Sequence, residues 1–258
     1  VLHLNRRRAE AFGEYAEDYD RSRPTYPSAL VDAILPARGR RVLDVGCGTG
    51  KAALAFAARE CSVLGIEIDE KMAAVARRHG VSVEIAPFES WDAAGREFDL
   101  VVSGQAWHWI DPKIGAVKAA DVLASHGRLA VFWNYEHPSD AALAAAVETA
   151  YETFDAELEG SGIGRSSRRR HDSQTAEHVN SIEGCGRFAA CRVDRFPWTW
   201  DLRRGEFVDL ARTQSGVALL PEQRRRALLD RLADVVDSAG EVVRLSCEAV
   251  CIVADKTT

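Results

Sequence analysis

The chain has 258 residues, 47% of them hydrophobic and 28% charged, and a formal net charge of −6. That length suits one large α/β domain, or one domain with a modest cap, and the balance is that of an ordinary globular protein. The acidic charge weighs against a dedicated nucleic-acid binder, and no apolar run approaches the ~20 residues that cross a bilayer.

The opening residues VLHLNRRRAEAF lack the apolar stretch of a secretion signal. A cytoplasmic protein with no membrane or nucleic-acid partner is expected, as a monomer or homodimer. Its six cysteines, Cys47, Cys61, Cys185, Cys191, Cys247 and Cys251, make no CxxC pair and no zinc-ligand spacing. Reduced, buried thiols and no metal are expected.

Residues 1–38 read as an N-terminal helical segment carrying Tyr15, Tyr19 and Arg23. Arg41–Val45 is a strand, Lys51–Glu60 an Ala-rich helix and Ser62–Glu67 a second strand. Asp69 is placed to cap a helix that runs to His79 and stops at Gly80. Val81–Ala86 and Phe98–Gly104 are the third and fourth strands. A helix over Pro112–Ala124 and a fifth strand over Gly127–Asn134 follow. Strands alternating with helices predict βαβ units and a parallel sheet covered on both faces.

The rhythm then breaks. Asp140–Leu158 reads as one long helix. Gly160–Ser173, rich in Gly, Ser and Arg, reads as a mobile loop over the site, and a short helix follows to Glu183. Its arginines Arg165, Arg168, Arg169 and Arg170 either attract an anionic substrate or are simply solvated. Phe188–Leu202 is a strand in which Pro197 marks a bend or an edge. Gly205–Thr213 and Pro221–Val236 are helices, and Glu241–Ala254 is a last strand. With no repeat and no low-complexity linker, 1–258 reads as one domain, with residues 137–183 and 203–240 as cap elements. Both inserts leave the carboxyl ends of parallel strands, and the last strand returns antiparallel.

The stretch VLDVGCGTG, Val42–Gly50, is where the chemistry starts. Three glycines spaced by two let the backbone turn tightly and let a ligand approach it. Ligands of open parallel sheets sit beyond the carboxyl ends of the strands, where this loop lies. Glu67, ending the second strand, is placed to accept hydrogen bonds from both hydroxyls of a ribose. A dinucleotide fingerprint would need glycine at position 51, where the chain has Lys51. Asp44, two residues before the first glycine, would repel a pyrophosphate. It suits a ligand with an ammonium and a sulfonium, or else it fixes the loop backbone.

VLDVGCGTG, VLGIEID and FDLVVS, in this order and spacing, resemble the class I S-adenosylmethionine-dependent methyltransferases. YDRSRPTYP (Tyr19–Pro27), QAWHWID (Gln105–Asp111) and ARTQSGVALLP (Ala211–Pro221) are similar to the trans-aconitate and cantharidin type of small-molecule methyltransferases, a methyltransferase type 11 group. The resemblance spans nearly the whole chain. It implies a Rossmann-like seven-stranded sheet, mostly parallel with an antiparallel last strand, under a helical cap. It also implies the cofactor S-adenosyl-L-methionine, left as S-adenosyl-L-homocysteine, and a small-molecule acceptor methylated at a carboxylate or hydroxyl oxygen.

By the same resemblance Gly46, Cys47, Gly48 and Gly50 line the methionine part of the cofactor, with Asp44 behind them. Glu67 holds the ribose, Ile68 packs on the adenine, and Phe88 and Glu89 border it. Where many relatives have an acid two residues before that glutamate, this chain has Pro87. Tyr19, Arg23 and Gln105 face the cofactor or substrate. Among Trp107, His108 and Trp109, one Trp is a core candidate. His108, with Tyr19, is the catalytic candidate, either as the base for a hydroxyl or amine or as a group that only orients the acceptor. Three rivals stay open at this point: an NAD-dependent oxidoreductase, a nucleic-acid or protein methyltransferase, and a non-catalytic S-adenosylmethionine-binding protein.

Overall fold

Seven strands make one sheet: β1 (Arg41–Val45), β2 (Ser62–Glu67), β3 (Ser82–Ile85), β4 (Phe98–Gly104), β5 (Leu123–Pro138), β6 (Arg192–Arg203) and β7 (Val242–Asp255). Their order across the sheet is β3-β2-β1-β4-β5-β7-β6. The first five pair parallel, and β7 runs antiparallel to both β5 and β6. The strand order reverses beside β1, which has β2 on one side and β4 on the other, so the ligand crevice opens beyond the carboxyl ends of β1 and β4. The computed structural model describes residues 11–35, 39–158, 162–164 and 168–257, and only the backbone of residues 11, 12, 155, 156 and 168–170.

Alternate residues of the central strands feed two cores. Leu43, Val45, Val101, Leu129 and Val131 pack against the helix Gly115–Val122, through its Ala116, Ala119 and Ala120. Val42, Leu100, Val102, Ala130 and Phe132 pack on the opposite face, against Leu30, Ile34 and Phe56. Apolar residues on both faces of each strand are what a sheet covered on both sides requires. A third core, with Leu143, Tyr151, Phe207, Leu210 and Leu232, joins the helices Ala141–Glu152, Arg204–Arg212 and Glu222–Ala239 to Leu202 and Leu245 of the outer strands.

Several element ends shift from the sequence reading, the strand expected from Phe188 beginning at Arg192, and three differences are larger in consequence. The helix expected over Asp140–Leu158 is two, Ala141–Glu152 and Asp155–Leu158. The Thr153 carbonyl, which would continue the ladder, accepts from Arg224 Nη2 at 3.2 Å, and Phe154 turns inward to 4% exposure. The loop expected over Gly160–Ser173 lies partly outside the described residues, and a 17-residue helix, Arg168–Gly184, begins inside it. Stacking holds that helix to β5: His171 lies on Tyr135 with centroids 3.5 Å apart, and His178 on Trp133 at 4.8 Å. Arg165 and the side chains of Arg168, Arg169 and Arg170 lie outside the described residues.

The third difference positions the site. Strand β5 runs to Pro138, four residues past the expected end. Its pairing with β4 stops at Gly104 and Phe132, while its pairing with β7 continues to Pro138 and Leu245. Residues 133–138 therefore present an edge on the side where β4 has ended. The carbonyls of Phe132, Asn134 and Glu136 point there, accepting from Gln105 N (2.8 Å), Gln105 Nε2 (3.1 Å) and Gly164 N (3.1 Å). Pro197 sits on β6, which is indeed an edge strand.

Candidate active site

The loop after β1 is set by its glycines. Gly46, Gly48 and Gly50 have φ of +69°, +54° and +90°, in the left-handed region that favours glycine. A Cβ at Gly46 would stand 2.5 Å from that of Ala106, so the loop also closes tightly on the segment after β4. Gly50 leads directly into the helix Lys51–Ala57.

Asp44 lies beneath this loop at 0% exposure, and neither carboxylate oxygen has a hydrogen-bond partner among the described residues. Burial pushes its pKa up to about 7, against a pull from the Ala53 N–H and with a push from Glu67. The Ala53 N–H acts on the carboxylate from outside hydrogen-bond geometry, so the carboxylate keeps its acceptor capacity for a cation or donor of a ligand. It does not clamp the loop backbone, the alternative left open by the sequence.

Glu67 ends β2, as expected, and its carboxylate is already engaged by the main chain. Its Oε2 accepts from Gly48 N at 2.8 Å, and its Oε1 from Ile68 N at 2.9 Å and Asp69 N at 3.0 Å. Three of roughly four lone-pair positions are thus taken by main-chain donors. The residue staples the glycine loop to the end of β2 before any ribose is bound. Two ribose hydroxyls binding together would require one of these N–H groups to yield.

The N-terminal segment closes the near side. Arg23 donates from Nε to Thr213 Oγ1 (3.0 Å) and from Nη2 to the Thr213 carbonyl (2.8 Å), tying it to the helix Arg204–Arg212. Its guanidinium also lies 5.2 Å from the Tyr19 ring centroid. Tyr19, Tyr26, Arg23, Asp44, Thr49 and Gln105 are among the residues that line a small cavity over the loop, with Gly46, Cys47 and Gly48 as part of its wall. Burial raises the pKa of Tyr19 and Tyr26, which keeps both hydroxyls protonated at neutral pH. Tyr15 lies apart, under the guanidinium of Arg225.

Gln105 links this cavity to a second, of about 200 Å³, with which it shares Arg23, Gln105 and Asn134. Gln105 has φ of +59°, uncommon for a residue with a side chain, and is held there by its bonds to β5. The second cavity is bounded by the projecting edge of β5, by His108, and by His171, Gln174 and His178 of the helix Arg168–Gly184.

The segment QAWHWID folds as a turn, with a 3-10 stretch over Trp107–Trp109. Trp107 goes into the core at 3% exposure, and His108 faces the larger cavity. His108 Nδ1 accepts from the Trp133 indole N–H at 3.0 Å. An indole nitrogen only donates, so in the neutral imidazole the proton sits on Nε2.

The sequence-expected adenine contacts do not line either of these cavities. Phe88 is turned into the core, 2% exposed and 6.4 Å from Trp107 by ring centroids. Glu89 Oε1 accepts from Asp111 N at 3.0 Å, and Ile68 is half-buried beside Glu67. Sequence reasoning missed Asn134, Glu136, His137, His171 and His178, all on the larger cavity. Only Asn134 had a legible signal, its place at the end of an apolar strand.

A sequence model of the methyltransferase domain matches residues 42–127. A Mycobacterium tuberculosis protein named as an uncharacterized methyltransferase is 30% identical over 234 residues, 88% of this chain and 85% of that one. The trans-aconitate 2-methyltransferase of Mycobacterium ulcerans is 31% identical over 130 residues, 48% of each chain. A solved structure described as a type II methyltransferase of Anaeromyxobacter dehalogenans superposes with a TM-score of 0.67 at 22% identity, covering 90% of this chain and 97% of that one. Fold, glycine loop and a relative matched over most of its length agree: the chain belongs to the class I S-adenosylmethionine-dependent methyltransferases.

Proposed function

We propose that this methyltransferase transfers the methyl group of S-adenosyl-L-methionine to an oxygen of a small organic acceptor, with the cofactor at the glycine loop and the acceptor in the cavity beyond β4. The observation that carries the placement is Asp44, a buried carboxylate without a donor at the foot of the loop. An ammonium or sulfonium ligand supplies the missing charge, and a dinucleotide pyrophosphate does not. Bound there, S-adenosyl-L-methionine supplies a methyl group already activated by its sulfonium. Gly46, Cys47, Gly48 and Gly50 give it a close wall, Glu67 the ribose side, and Ile68, Phe88 and Glu89 the adenine side through their main chain. No helix among the described residues is long and apolar enough to cross a membrane.

The protein's own work is to hold two reactants in line and keep water out, worth ~7–11 kcal/mol in well-oriented reactions. Arg23, Gln105 and Asn134, common to both cavities, bound the point where the methyl group passes. With its proton on Nε2, His108 is a donor toward the acceptor, which supports the orienting role over the base role. Tyr19, protonated, is likewise a donor. The relative named for trans-aconitate acts, by that name, on a small molecule, which agrees with an acceptor of modest size.

Calorimetric titration with S-adenosyl-L-homocysteine tests the cofactor site. Binding weakened roughly 10–100-fold in Asp44→Asn, with the fold intact by circular dichroism, is the expected result. Equal affinity in parent and variant overturns the placement.

A further inference from the structure

We propose that Glu136 takes the proton from a planar hydroxyl acceptor, of the phenol or enol class, held in the cavity beyond β4. The proposal rests on the reading of that cavity as the acceptor site, and it goes further by naming the base and the substrate class.

Glu136 stands on the part of β5 that has outrun β4. Its own carbonyl is engaged by Gly164 N, which fixes the strand edge, and its side chain lines the cavity. Oε1 is buried and has no hydrogen-bond partner among the described residues. Such an oxygen lacks a donor that the protein does not provide, and the O–H of an occupant is a donor of the right kind. Arg23, the cation on the same cavity, commits its Nε and Nη2 to Thr213.

The other titratable groups of the cavity are unsuited to the task. His108 has Nδ1 taken by the Trp133 indole. His178 is stacked on Trp133, and burial lowers its pKa to about 4. Burial also lowers His137, and His171 lies against Tyr135 at 3.5 Å between centroids. Burial raises Tyr135, as it does Tyr19 and Tyr26 of the smaller cavity, and pushes the neighbouring Cys247 thiol up to about 12. Burial raises Glu136 too, outweighing the opposing pull of Arg23, and this makes it a stronger base than an exposed carboxylate.

The same groups choose the acceptor. A carboxylate acceptor needs no base and would face the Glu136 charge. A hydroxyl meets the oxygen that lacks a donor. Trp133 and Tyr135 each have one face covered by a histidine, and with His108 they give the cavity an aromatic wall on which a flat occupant can pack. In the step, the acceptor oxygen bonds to the methyl carbon as the methyl–sulfur bond breaks, its electron pair remaining on sulfur. The hydroxyl proton passes to Glu136, leaving a methyl ether, a neutral thioether and a carboxylic acid, so charge and atoms balance.

The test uses Glu136→Gln and Glu136→Asp in the full chain. Affinity for S-adenosyl-L-homocysteine is measured first: equal values in parent and variants separate this proposal from the cofactor placement, which would fail in the parent itself. Turnover is then followed on substituted phenols, from phenol to pentafluorophenol (ionised at neutral pH), with benzoate as the carboxylate probe. Glu136→Gln is expected to lose ~10²–10⁴-fold on phenol, far less on pentafluorophenol, with partial recovery in Glu136→Asp. A second readout needs no turnover. Affinity of 4-nitrophenol for the S-adenosyl-L-homocysteine complex should fall in the parent as pH rises through the phenol's ionisation, because two anions then face each other, and should stay level in Glu136→Gln. Equal loss on every phenol, unchanged turnover of phenol, or turnover of benzoate alone overturns the proposal.

Discussion

The loop Gly46–Gly50 and the cavity beyond β4 hold their surroundings by different means. At the loop the main chain does most of the holding: three N–H groups fix Glu67, and three glycines adopt backbone angles that other residues avoid. At the cavity, side chains meet from β5, from the turn after β4, from the helix Arg168–Gly184 and from the N-terminal segment. A main-chain site depends on a short stretch of sequence and tolerates little change within it. A site assembled from distant side chains can alter one wall at a time. The methyltransferase domain match has the same shape, covering residues 42–127 and stopping before Asn134, Glu136 and His171.

The largest effect should break the loop side alone. Gly46→Ala brings a Cβ to 2.5 Å from that of Ala106 at a φ of +69°. We expect cofactor affinity to drop at least about 100-fold, from collision plus ~1–2 kcal/mol of backbone strain. Adding Ala106→Gly should return part of it, since that relieves the collision and not the strain. Calorimetry on the single and double variants checks this.

Asp44→Asn comes next and separates binding from stability. Loss of a charged partner should weaken cofactor binding roughly 10–100-fold. The free protein should gain stability, with a definite sign. The folded-state pKa is raised to about 7, so the folded state holds the proton more tightly than the unfolded chain. The stability so contributed is complete below about pH 4 and is lost as pH rises through 7. The variant should therefore match the parent near pH 4 and exceed it at pH 8, by up to about 4 kcal/mol. Denaturant melts at the two pH values decide it.

Glu67→Gln should cost about tenfold in cofactor affinity and lower the melting temperature together, since an amide oxygen cannot serve the three N–H groups as well as a carboxylate. A loss of affinity with unchanged stability would assign Glu67 to the ribose alone. The smallest effect tests the other side. Trp133→Phe removes the indole donor from His108. Acceptor turnover should fall ~3–10-fold, as for one neutral hydrogen bond, with cofactor affinity unchanged. Loss of cofactor affinity in that variant would show that the two sides are not separable.

Much of the cofactor side was legible because its residues are local. The strand, the three glycines and Asp44 lie within ten positions, and Glu67 ends the next strand. The staple made by Glu67 was hidden, since nothing in VLGIE tells which way its carboxylate turns. The acceptor side was mostly illegible for a physical reason. His171 and His178 reach the cavity only because their helix stacks on Tyr135 and Trp133, contacts that span more than thirty residues of sequence. The same stacking ordered a stretch whose arginines and serines read as loop. Glu136 was missed with the end of β5, where pairing with β7 carried the strand past the last apolar residue.

The step where β5 outruns β4 also shapes how the amides of that strand meet solvent. In an antiparallel pair, successive residues aim their N–H groups to opposite sides. From Trp133 onward, every second amide is locked against β7, and those of Asn134 and Glu136 turn toward the side that β4 has left. Hydrogen exchange along this one strand should thus alternate between slow and fast, beginning where β4 ends. An occupant seated against the edge would slow the fast members and leave the slow ones unchanged. The strand then serves as an internal gauge of acceptor occupancy, readable by NMR residue by residue without any label on the acceptor.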